Sequence, residues 1–84
     1  KAQQKDFVYY DSLTYKLYVD KDFKQLLKVG DEALNSGLDY YYLRMRIGIA
    51  AYNLKRYRLA SVHFEKASSF SDNDIIQEYL YYSS

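Results

Sequence analysis

The sequence predicts an all-α chain built from a repeated helix-turn-helix unit, and three observations carry that expectation. Proline is absent and glycine occurs only three times, so little interrupts a helix. Apolar residues recur at helical spacing rather than in alternation, as in Leu13, Leu17 and Tyr18 or in Phe64, Ala67 and Phe70. Shifted so that Tyr18 falls on Tyr52, the chain aligns with itself, and the same offset sets Lys21 on Lys55, Phe23 on Tyr57 and Ala33 on Ala67.

Taken in order, the elements follow from the breaks between them. Gly, Asn, Asp and Ser supply caps at Val19-Asp20-Lys21-Asp22, Asn35-Ser36-Gly37, Asn53-Leu54-Lys55-Arg56 and Ser71-Asp72-Asn73. Five helices are expected, over 7–19, 23–36, 39–53, 57–70 and 73–82. The aromatic run Tyr40-Tyr41-Tyr42-Leu43 invites a strand, but the apolar pattern continues through Met45, Ile47, Gly48, Ala51 and Tyr52 without a turn signal, and that length favours helix. Residues 1–6 read as an amino-terminal tail and 7–84 as one domain: repeat one over 7–40, repeat two over 41–74, and 75–84 as a cap or the first helix of a third repeat.

Composition bounds the function. The 84 residues make one domain, burying roughly 60–65% of the unfolded chain's surface. With 49% hydrophobic, 19% aromatic and 27% charged residues and a negative mean hydropathy, the chain should fold and remain in water. A net charge of +1 provides no global field for nucleic acid or an anionic membrane. There is no cysteine, hence no disulfide, thiolate nucleophile or Cys-ligated zinc. No apolar run approaches the ~20 residues that span a bilayer, so the chain is not expected to be integral to a membrane. It opens at Lys1-Ala2-Gln3-Gln4 without Met, and a small residue at Ala2 suits cleavage of a secretory signal, so the expectation leans towards export.

The second copy carries a family resemblance. Ile47-Gly48 is followed by Tyr57, Ala60, Phe64 and Ala67, and the spacing from Gly48 onward resembles that of the tetratricopeptide repeat. That family's helix-turn-helix period, about 34 residues, matches the offset that aligns this chain with itself. The first copy departs from the pattern, with Thr14 for the glycine, Leu26 for the middle alanine and Gly30 for the aromatic. Neither copy has the closing proline. The resemblance implies a right-handed superhelix of antiparallel helix pairs, here two hairpins plus a terminal helix. Small residues would let paired helices approach, while Tyr57 and Phe64 fill the space between hairpins. The run from Asp39 to Arg46 also resembles repeat modules that precede envelope domains in bacteria, which points to the cell envelope or periplasm.

What the resemblance implies about function is a scaffold that binds a protein or peptide in a concave groove lined by the first helix of each pair. Carried residue by residue, the groove positions are Val8, Asp11, Tyr15, Tyr18 and Val19 in the first copy and Tyr42, Met45, Ile49, Tyr52 and Asn53 in the second, with Arg46 beside them and Tyr79 extending the row. Tyrosines and a methionine suit an apolar or mixed peptide, helical or extended. Tyr18 and Tyr52 could equally pack between helices, whereas Tyr15, Tyr42 and Met45 are expected in the open groove. The Lys and Asn clamp with which some members of the family grip terminal carboxylates is missing: Asp11, Tyr15, Met45 and Ile49 stand there, and Asp11 is expected to repel an anionic ligand.

The last helix offers an alternative. Ile75, Ile76, Tyr79, Leu80, Tyr81 and Tyr82 cover too much of its circumference for a solvated cap. Either the chain continues into a longer array, the favoured reading, or Ile76, Leu80, Tyr81 and Tyr82 join copies into a homo-oligomer.

Catalysis and cofactors find no candidates. His63 is the only histidine and reads as structural or exposed, with no metal set around it. The basic stretch Lys55-Arg56-Tyr57-Arg58, with Arg44 and Arg46 nearby, reads as a solvated loop more readily than as a nucleic-acid contact. Asp20, Asp22, Asp31, Glu32, Asp39, Glu65, Asp72 and Asp74 are read as carboxylates mostly at helix starts, answering the dipole. With no Gly-rich phosphate loop, nucleophile elbow or paired acids, an enzyme is not expected.

Overall fold

The computed structural model describes residues 3–70, all of whose regular structure is helical: α1 Gln3–Val19, α2 Phe23–Asn35, α3 Tyr41–Asn53 and α4 Tyr57–Ser68. The four expected helices in this range are present. The first begins at Gln3 rather than Phe7, taking in residues assigned to a tail, and α3 begins at Tyr41 rather than Asp39. The expected helix 73–82, with Ile76, Tyr79, Leu80, Tyr81 and Tyr82, lies outside the described residues. No helix among those described is long and apolar enough to cross a membrane.

The repeat offset is written into the backbone. Two residues past the end of α1 and of α3 stands a lysine in the left-handed region, Lys21 at φ 60° and Lys55 at φ 64°. After each, an N–H reaches back to close the helix: Asp22 N–H donates to the Leu17 carbonyl at 2.9 Å, and Arg56 N–H to the Ala51 carbonyl at 2.8 Å. Leu17 and Ala51 are related by the same offset as Lys21 and Lys55. The same closure ends α2, where Gly37 takes φ 103° and the Leu38 N–H donates to the Ala33 carbonyl at 3.1 Å. This six-to-one bond satisfies a carbonyl that the helix end leaves free.

The helix starts differ from the expectation. Asp22 precedes α2, but its side chain makes no capping bond, and the first turns of α2, α3 and α4 carry no acidic residue. Two of these carboxylates pair with side chains instead: Asp20 with Lys16 at 2.8 Å on the surface, and Asp39 with Arg44 at 2.7 Å. Each finds its cation within five residues along the chain, where a side-chain pair forms with little ordering cost.

The core sits where α1, α2 and α3 meet, around the buried Leu26, Ala33, Tyr40, Leu43, Ile47 and Ala50. Burying a leucine such as Leu26 or Leu43, both 0% exposed, stabilises the fold by about 2 kcal/mol. Two glycines set how closely helices approach. A Cβ on Gly48 would stand 2.5 Å from the Phe64 ring, and one on Gly30 would stand 2.5 Å from Ile47 Cγ1. Phe64, expected to fill the space between hairpins, instead packs on Gly48 within the α3–α4 pair. In repeat one the aromatic is absent because Ile47, arriving from α3, takes the space above Gly30. The repeat-related pairs Leu26 with Ala60 and Ala33 with Ala67 are all buried. Tyr57 departs from its expected packing role: it is 56% exposed and meets Tyr52 edge to face at 5.2 Å.

Candidate binding surface between the first helices

On α1, Phe7, Asp11 and Thr14 share one helical stripe, and that stripe faces inward: Asp11 is 3% exposed and Thr14 0%. A carboxylate in this position must be satisfied locally, since an isolated buried charge is prohibitively costly. Two partners from outside α1 do so. The Tyr40 hydroxyl donates to Asp11 Oδ1 at 2.7 Å, and the Arg46 guanidinium of α3 donates to the same oxygen at 2.7 Å. The same Arg46 nitrogen lies 3.3 Å from the Asp11 carbonyl oxygen and 3.3 Å from the Thr14 hydroxyl. Thr14 in turn donates to the Tyr10 carbonyl at 2.8 Å. These bonds tie α1 to α3 across the floor of their shared face.

Arg46 is also held from above. Its guanidinium carbon lies 5.4 Å from the centre of the Tyr15 ring and 5.9 Å from that of Tyr42, both within the reach of cation–π attraction. The Arg46 and Asp11 side chains are 11% and 5% exposed, so their charges offset one another largely shielded from water. Asp11, expected to face an incoming ligand as an unmatched charge, is instead paired with Arg46. The face as a whole presents tyrosine rings over a neutral, hydrogen-bonded floor.

The expected groove residues divide. Asp11, Tyr15, Tyr42 and Arg46 form one cluster, and Tyr18 joins it through Tyr15 at 6.5 Å. Tyr15 is 54% exposed and Tyr18 38%, whereas Tyr42 and Met45 are half-buried, as is Ile49. Tyr52, 58% exposed, turns away to pair with Tyr57, beside a hollow that Ala60 and Phe64 also line. Asn53 bonds back to the Ile49 carbonyl at 2.8 Å.

Sequence reasoning missed Tyr40 and Thr14, and assigned Asp11 and Arg46 to a ligand rather than to each other. The signal was present, because Asp11 interrupts an otherwise inward-facing stripe. It missed a second polar cluster as well. Arg44 clasps Asp39 with two bonds, 2.7 and 2.9 Å, and its other terminal nitrogen lies 2.9 Å from His63 Nδ1 on α4. A guanidinium can only donate, so Nδ1 accepts and the ring proton sits on Nε2. Burial, helped by the Arg44 charge, holds the His63 pKa below its ordinary value; the Arg44 hydrogen bond lowers that of Asp39. Arg44 and Arg46 are thus both paired, leaving the basic stretch at Lys55-Arg56-Tyr57-Arg58 as exposed residues at a helix turn.

His63 also stands at the edge of a cleft of about 520 Å³ between α2 and α4, walled by Leu27, Leu54 and Leu59 with Ile47 beneath. No group of three or more potential metal ligands occurs among the described residues. No family model matches the chain, and no curated protein or solved structure matches it either.

Proposed function

We propose that this chain is a tetratricopeptide-like docking module, two antiparallel helix pairs of a right-handed superhelix, that binds an apolar or mixed peptide segment of another protein on the α1/α3 face and performs no catalysis. The observation that carries the reading is Arg46, neutralised from below by Asp11 and flanked by the Tyr15 and Tyr42 rings. Such an arrangement fixes the aromatic surface before a ligand arrives, and little side-chain freedom remains to be lost on binding. With the charge already matched, shape and apolar contact select the ligand. That suits a segment anchored by apolar side chains and supported by tyrosine hydroxyls. The matching helix closures at Lys21 and Lys55 support the superhelix.

The test begins with peptides selected from a random displayed library against the whole chain. Tyr15→Ala, at an exposed position, should weaken the selected peptides at least tenfold while leaving helicity unchanged. Tyr42→Phe, which keeps the half-buried ring, should retain binding. A library yielding no peptide sensitive to Tyr15→Ala would remove this face from consideration. An oligomer dissolved by Leu80→Glu and Tyr81→Glu, with no selectable peptide, would support assembly as the function.

A further inference from the structure

The α2/α4 cleft lies outside the surface just proposed, and its chemistry is of the opposite kind. Its walls are apolar, from Leu27, Leu54 and Leu59, while Lys24, Lys28 and Arg56 stand at its rim. All three cations are exposed, and among the described residues none is in an ion pair. Among the described residues Asp31 is the one carboxylate lining the cleft, at the His63 end. Elsewhere Lys16, Arg44 and Arg46 each have a carboxylate within 2.8 Å, whereas the cleft gathers three cations, Lys24, Lys28 and Arg56, against the single carboxylate of Asp31 among the described residues. Lys24 and Lys28 sit one turn apart on α2, a like-charged spacing that works against the helix unless an anion lies across it. An apolar trough edged by unpaired cations is complementary to a helix with an apolar stripe and carboxylates along its flanks.

We infer that the α2/α4 cleft is a second docking site, and that its occupant is an acidic amphipathic helix of a partner protein, with Lys24, Lys28 and Arg56 meeting its carboxylates. Apolar contact with Leu27, Leu54 and Leu59 would supply the affinity, and the three cations would set orientation and exclude basic segments. Because this surface shares no residue with the Tyr15 and Tyr42 face, each site could be occupied with the other free.

The experiment uses the whole chain and two fluorescent helical peptides of about 16 residues, long enough to run the ~20 Å of either cleft helix. Both carry a leucine stripe; one is flanked by glutamates and the other by lysines. The expected result is binding of the glutamate peptide alone, weakened at least tenfold by the triple variant Lys24→Glu, Lys28→Glu, Arg56→Glu and weakened also by added salt. These positions are solvent-exposed, and circular dichroism verifies that the variant keeps its helices. Tyr15→Ala should leave this binding unchanged, which separates it from the α1/α3 reading. Equal binding of both peptides, or binding that survives the triple charge reversal, overturns the inference. So does a glutamate peptide lost on Tyr15→Ala but not on charge reversal, and so does a cleft covered by a second copy, seen as self-association that the triple variant abolishes.

Discussion

Among single residues, Asp11 and Arg46 matter most. Asp11 is buried and Arg46 largely so, each satisfies the other, and removing one leaves a poorly solvated charge without its partner. Asp11→Ala or Arg46→Ala should therefore cost about 3 kcal/mol or more, read as a shift in the urea midpoint. The pair Asp11→Leu with Arg46→Met should recover most of that loss, since a desolvated ion pair gains little over apolar packing of similar volume. Equal loss in single and double variants would mean that the bonds to Tyr40 and Thr14, rather than the charges, hold the floor together. His63 predicts a pH effect with a definite sign. Its folded pKa lies below the ordinary 6.5, so the neutral ring is the form the fold prefers. That stability is complete above about 6.5 and is lost as pH falls through the folded value, when Nδ1 gains a proton and can no longer accept from Arg44. Asp39, lowered by its Arg44 bond, acts in the same direction at more acid pH. Thermal melts across this range should show a step for the wild-type chain, and His63→Asn, which keeps an acceptor near Nδ1, should remove it.

The helices and turns make their own predictions. Lys21 and Lys55 hold a left-handed conformation that side chains disfavour, at a cost of about 1 kcal/mol each, whereas glycine adopts it freely. Lys21→Gly and Lys55→Gly should each raise stability by up to that amount in chemical denaturation, as Gly37 already does for α2. Gly48 predicts the reverse. Alanine is the better helix former by about 1 kcal/mol, but its Cβ would press into the Phe64 ring. Gly48→Ala should destabilise by about 1–3 kcal/mol, and Phe64→Leu in the same chain should recover part of the loss. A neutral or stabilising Gly48→Ala would show that the ring can move aside.

Across the whole molecule, what was legible in the sequence follows from the range of each interaction. Helix positions and the repeat period come from local spacing, and α2, α3 and α4 lie within two residues of their expected bounds. The Gly48–Phe64 contact was not legible, because only the packing of α3 on α4 decides that the ring turns into its own helix pair rather than towards the next. Nor was the polar floor. Asp11 and Arg46 are 35 residues apart, and only the packed pair of helices decides whether a carboxylate on α1 meets water or a guanidinium. Capping was misread because an aspartate before a helix can cap only if its side chain turns towards the first amides, and here Asp20 and Asp39 find cations instead. The α2/α4 cleft was hidden because its walls are assembled from three helices.

On the proposed reading the α1/α3 face, built around Tyr15, Tyr42 and Arg46, receives a peptide. Amide and Arg46 side-chain NMR signals of the whole chain, followed during titration with a library-selected peptide, test it most directly. The largest shifts should fall on Tyr15, Tyr18, Tyr42 and the Arg46 side chain, and they should vanish in Tyr15→Ala. Shifts confined to α2 and α4, with Arg46 unmoved, would contradict it.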